Sequence, residues 1–88
     1  MSGAFNNLEA TETTVSAAQD ISFITRTAAI TIINDSDTDD LTVALKTSGS
    51  DTLTVKRKEQ ITFDYATTGI TLNKATSGNV AVRVWGFR

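Results

Sequence analysis

Asp35, Asp37 and Asp39 set three carboxylates at alternating positions of the segment Asp35-Ser36-Asp37-Thr38-Asp39-Asp40, and here the chain comes nearest to a chemical site. Oxygen ligands at positions 1, 3 and 5 of a curled loop can converge on a hard cation, as they do at the opening of a helix–loop–helix calcium site. The rest of that pattern is missing. Position 6 needs a glycine for the sharp turn and is Asp40, and position 12 needs a bidentate glutamate and is Lys46. Asp35, Asp37 and Asp39 stay as a weak alternative for a metal site. The plainer expectation is a solubilising acidic loop whose Asp and Ser side chains cap their own backbone amides. No metal and no other cofactor is expected.

Other chemistries find less. The chain has no cysteine and no histidine, which excludes disulfides, thiolate or imidazole metal sites and nucleophile–base pairs of the usual kind. Glu9, Glu12 and Glu59 could in principle supply paired carboxylates for glycoside hydrolysis, but a domain this small seldom forms a cleft between such residues. No glycine-rich phosphate loop or nucleophile elbow occurs. Lys56-Arg57-Lys58 could meet phosphate, yet it carries no interleaved aromatics and reads as a solvated hairpin tip partly neutralised by Glu59. The expectation is a protein that binds or builds and is not an enzyme.

The end of the chain is the more informative oddity. Val80, Val82 and Val84 make an inward strand face, while the opposite face carries Ala81, Arg83, Trp85 and Phe87. A strand facing only water has no reason to set Trp and Phe two residues apart on its outer side. These residue types, with Arg, are enriched in protein interfaces. Two readings stay open: Trp85, Phe87 and Arg83 form an interface, or Trp85 and Phe87 close the sandwich beneath the N-terminal arm. The arm's own apolar residues, Phe5 and Leu8, join the candidate interface.

The elements that must position these residues show a two-residue period. Ile21 with Phe23, Ile30 with Ile32, Leu41–Val43–Leu45, Leu53 with Val55, Ile61–Phe63–Tyr65, Ile70 with Leu72 and Val80–Val82–Val84 each alternate with polar or small neighbours. Polar segments at 34–40, 47–51, 56–59, 66–69 and 75–79 punctuate them. Sixteen Thr and seven Ser, about a quarter of the 88 residues, suit half-exposed pleated surfaces. The spacing predicts an all-β fold: a small antiparallel β-sandwich or jelly-roll-like domain of about seven to eight short strands at 20–88, preceded by an arm at 1–19 with at most a short strand at 13–17. The choice between an immunoglobulin-like sandwich and a jelly roll stays open. A net charge of −2 gives no reason to expect nucleic acid or an anionic membrane as partner, and the N-terminus lacks the basic start and apolar stretch of a secretion signal.

The Thr-rich short strands, the run Ile-Ile-Asn-Asp-Ser-Asp-Thr-Asp-Asp-Leu-Thr-Val, the paired Leu-Thr-Val strands and the ending Val-Arg-Val-Trp-Gly-Phe-Arg resemble the small virion proteins of tailed bacteriophages, the head-decoration or cement type above all. That resemblance implies a non-enzymatic structural protein that sits on the capsid, oligomerises with a trimer favoured, and braces the shell. It implies the major capsid protein or another virion protein as partner, and a virion location after assembly in the host cytoplasm. Tail, collar and head-fibre components share the same texture. A carbohydrate- or cell-surface-binding module is the reading from another class, with Trp85 or Tyr65 stacking on a sugar ring.

Overall fold

The computed structural model describes residues 8–45 and 52–88, which form eight strands: β1 (Leu8–Val15), β2 (Gln19–Ser22), β3 (Ala29–Asn34), β4 (Leu41–Leu45), β5 (Thr52–Val55), β6 (Gln60–Asp64), β7 (Gly69–Lys74) and β8 (Val80–Phe87). They build two antiparallel four-stranded sheets, in the orders β1-β8-β3-β6 and β2-β7-β4-β5. The pairings nest, β1 with β8, β2 with β7, β3 with β6 and β4 with β5, as in one long hairpin rolled over on itself. This is a jelly roll, and it closes the choice that the spacing left open.

The apolar period does the folding. Ile30 and Ile32 of β3 and Val80, Val82 and Val84 of β8 turn their side chains to the inside of one sheet. Leu41, Val43, Ile70 and Leu72 do so from the other, and all are at most 1% exposed. Removal of each such side chain from water contributes about 1.5–3 kcal/mol. Inward and outward positions alternate strictly along each strand, so one residue of slip in any pairing would expose the whole set. The Leu-Thr-Val pair is a hairpin as read, with Leu41 opposite Val55 and Val43 opposite Leu53.

Two expectations need correction. The boundary at 19/20 does not hold for residues 8–19: Leu8–Val15 pairs with β8 along its full length and Gln19 opens β2. The apolar period missed β1 because its inward positions are Glu9, Thr11 and Thr13, and only Val15 is fully buried. Its place comes from backbone pairing to β8. The segment 56–59 is likewise no hairpin tip, since β5 and β6 belong to different sheets. It crosses between sheets in a tight turn, with the Glu59 amide donating to the Lys56 carbonyl at 3.0 Å and Lys58 in the left-handed region at φ 61°.

Asn34 joins the two sheets. At 1% exposure its amide nitrogen donates to the carbonyls of Asp39 and Val55, each at 3.0 Å, and its side-chain oxygen accepts from the Ser36 amide at 2.9 Å. A buried amide with its groups so paired fixes the start of the acidic loop against β5. At the other end Gly86, facing inward from β8, leaves room for the Phe23 ring.

Candidate functional site

The outer face of the β1-β8-β3-β6 sheet carries Trp85 and Phe87, while Phe23, Phe63 and Tyr65 pack on the core side. Antiparallel register sets its outward side chains in rows across the strands. Leu8, Phe87, Ala29 and Asp64 form one row, Ala10, Trp85, Thr31 and Thr62 the next, and Glu12, Arg83, Ile33 and Gln60 the third. Trp85 and Phe87 are therefore adjacent on a central strand, with small or apolar neighbours on both sides. Both are half-buried, and Leu8 is 41% exposed. Thr31 points outward yet is only 4% exposed; its hydroxyl pairs with that of Thr62 at 2.9 Å, and the indole flanks its other side.

Arg83, in the third row, is held by a two-pronged ion pair. Its Nε and Nη2 each donate to the Asp35 carboxylate at 2.8 Å. The bonded guanidinium holds the Asp35 carboxyl below its ordinary range, and Asp35 in turn raises Arg83. Glu12 faces Arg83 in the same row, so the polar end of the face carries both signs of charge.

Of the predicted interface residues, the structure thus brings Leu8, Arg83, Trp85 and Phe87 onto one surface, and Phe5 lies outside the described residues. Closure by the arm does not follow from the part described. β1 runs beside β8 in the plane of the sheet and not across Trp85.

The aspartates do not converge. Asp35 is committed to Arg83, Asp37 pairs with Lys58 at 3.0 Å, and Asp39 accepts from the Thr76 hydroxyl at 2.6 Å, the Thr38 hydroxyl at 2.7 Å and the Gly78 amide at 3.1 Å. Those bonds, that of Thr76 first, lower the Asp39 pKa. The Ser36 hydroxyl oxygen accepts from the amides of Thr38 and Asp39, which is the self-capping loop. Among the described residues no three acidic, His or Cys side chains are placed to share a metal ion. The basic triplet answers this loop, since Asp40 accepts from the Arg57 amide at 3.0 Å and its Nε at 3.2 Å, and the amide bond leads in lowering the Asp40 pKa. The two loops latch one end of the sandwich, and the cations meet Asp37 and Asp40 where Glu59 was expected.

The glutamates are scattered too. Glu9 and Glu12 are an odd number of residues apart on β1 and point to opposite faces. Glu9 accepts from the Ile24 amide at 2.9 Å, the Thr25 amide at 3.3 Å and Arg88 at 3.1 Å, and the Ile24 bond leads in lowering its pKa. This clamp presents Ile24 at 90% exposure beside the start of β1. The sequence gives no hint of it, because Ile24 falls outside the alternating set. A depression of about 320 Å³ along the β2–β7 edge offers one carboxylate, Asp20, which accepts from the Thr71 hydroxyl at 2.7 Å.

No protein-family model matches the chain, and no curated protein matches it in sequence. Among solved structures the fold is similar to protein NMB1881 from Neisseria meningitidis, with a TM-score of 0.59 and 5% identity over 93% of this chain and 75% of that one. It is also similar to the Yersinia pseudotuberculosis-derived mitogen, with a TM-score of 0.55 and 12% identity over 92% of this chain and 85% of the other. At such identities the likeness is one of fold alone: the chain is an all-β, two-sheet domain.

Proposed function

We propose that this protein is a non-enzymatic structural component that docks through the outer face of the β1-β8-β3-β6 sheet, in the role its sequence resemblance suggests: a capsid decoration protein of a phage virion, present in several copies and seated on the major capsid protein. The observation that carries this reading is the half-exposed Trp85–Phe87 pair on central strand β8, extended by Leu8, Ala10 and Ile33. Aromatic side chains on a stiff sheet lose little entropy on burial and supply large contact areas, which is what an anchoring residue needs. The Arg83–Asp35 pair at the polar end adds a charged rim. A tail, collar or head-fibre position would use the same face in the same way.

A second reading, of a carbohydrate-binding surface, draws on one feature. The register sets Glu12, Arg83 and Gln60 in the row beside Trp85, giving planar polar groups next to an aromatic ring. Electron microscopy of intact particles, compared with particles lacking this chain, separates the two. Density on the shell that Trp85→Ser removes, while the variant keeps its circular dichroism and melting temperature, supports the decoration role. Binding to an immobilised glycan with no density on particles supports the second reading.

A further inference from the structure

We infer that two copies of this chain join β1 to β1 in antiparallel fashion, about a two-fold axis at Thr11, so that their outer sheets become one continuous sheet. The inference sets a two-fold self-contact in place of the trimer that the resemblance implies, and does not depend on what the outer face binds.

The argument starts from backbone groups. In an antiparallel pair, alternate residues turn their N–H and C=O toward the partner and the rest turn them away. The amide of Ala28 donates to the Phe87 carbonyl and that of Asp35 to the Ala81 carbonyl, so the odd positions of β8 face β3 and the even ones face β1. Register then turns the backbone of Glu9, Thr11, Thr13 and Val15 toward β8, and that of Leu8, Ala10, Glu12 and Thr14 toward the free edge. Among the described residues no strand pairs with the edge-facing backbone of these four.

Sheet edges are normally protected by shortness, charged side chains (Lys above all), inward-pointing charges, Pro or bulges. The edge strands β2 and β5 have 4 residues each, and β6 has 5 and follows a basic turn. β1 has 8, carries no Lys, Pro or Gly, pairs along its length without a bulge, and has its two charges answered within the chain, Glu9 by the Ile24 and Thr25 amides and Arg88, and Glu12 by the facing Arg83. Its first turn of chain is also fixed, since Glu9 bonds the Ile24 and Thr25 amides and Arg88. An edge held rigid and left open is pre-organised to accept a strand.

Charge selects the occupant and the register. A strand is complementary to its own copy when run antiparallel, as a two-fold axis requires. With the axis at Thr11, Leu8 lies opposite Thr14 of the copy and Ala10 opposite Glu12, so each Glu12 meets a methyl group while facing its own Arg83. An axis at Glu12 would set the two Glu12 carboxylates against each other, which destabilises a cross-strand pair.

The test uses the absence of cysteine. At the axis Thr11 faces its own copy in a non-hydrogen-bonded pair, where Cα atoms lie about 4.5 Å apart, inside the range a disulfide bridges. Thr11→Cys should oxidise to a covalent dimer under mild oxidant, and Ala10→Cys, displaced from the axis, should not. Sedimentation of the unmodified chain should give a dimer. Ala10→Pro should give a folded monomer, because it removes an edge-facing N–H and spares the β8 ladder, while Thr11→Pro should unfold by losing a ladder bond. A monomer or a trimer of the unmodified chain, or equal cross-linking of the two cysteine variants, overturns the inference. Trp85→Ser keeps the failures apart: loss of particle density with cross-linking intact leaves this inference standing, and loss of cross-linking with density intact leaves the docking face standing.

Discussion

Gly86 is the position where a single methyl group should do measurable damage. It faces inward from β8, which is fixed between β1 and β3, so the backbone cannot recede. A Cβ built there would lie 2.7 and 2.8 Å from two carbons of the Phe23 ring and 3.1 Å from the Thr27 methyl. Neither neighbour yields readily: Phe23 is 6% exposed and Thr27 4%, and the Thr27 hydroxyl donates to the Tyr65 carbonyl at 2.6 Å. Two effects compete in Gly86→Ala. Replacing glycine inside a strand normally gains about 0.5–1 kcal/mol through the unfolded chain, whereas overpacking a dense core costs about 1–3 kcal/mol. The collision should win, leaving a net loss of roughly 0.5–2 kcal/mol, which for a domain of this size lowers the melting temperature by roughly 2–16 °C. Phe23→Leu takes away the ring edge that the methyl strikes. In the double variant the two losses should fall short of their sum by about 0.5–3 kcal/mol, the coupling expected of residues in contact. Melting followed by circular dichroism on all four proteins measures this. A Gly86→Ala protein as stable as the parent, or strict additivity, would refute the packing argument.

Asn34→Ala removes the bonds to the Asp39 and Val55 carbonyls and leaves the latter buried without its donor. The expected loss is about 1–3 kcal/mol, read as a lower denaturant midpoint with an unchanged slope. Acid should destabilise the fold, because Glu9, Asp35, Asp39 and Asp40 all have lowered pKa values. Carboxylates depressed by folding contribute fully above their unfolded values and lose that contribution as pH falls through the folded ones. The melting temperature should therefore hold from neutrality to about pH 5 and decline below about pH 4. Asp35→Asn should flatten part of that decline, and a melting temperature that rises on acidification would contradict the assignment. Chelation followed by added calcium should leave the melting temperature unchanged, since Asp35, Asp37 and Asp39 are each committed to other partners; a calcium-specific rise of several degrees would show that they can regroup.

By itself the sequence determined the strands that bury apolar side chains. Leu41–Leu45 and Thr52–Val55 were legible because one face is wholly apolar and the other mostly Thr. It also marked Trp85 and Phe87 as residues out of place on an outer face. Of strand β1 only the end fell within the short strand read at 13–17, since Glu9, Thr11 and Thr13 point inward at a half-exposed edge and leave no hydrophobic period. The partners of the acidic loop were beyond the reach of the sequence. Asp35 finds Arg83 and Asp39 finds Thr76 only because β8 and the turn after β7 are brought beside the end of β3. The nesting of β1 on β8 and β2 on β7 is of the same kind. Alternation states which side of a strand is dry, but the identity of its neighbour depends on how two sheets share one core. Pairings between residues as distant as Leu8 and Phe87 are therefore fixed by that packing, and with them the face on which Trp85 lies.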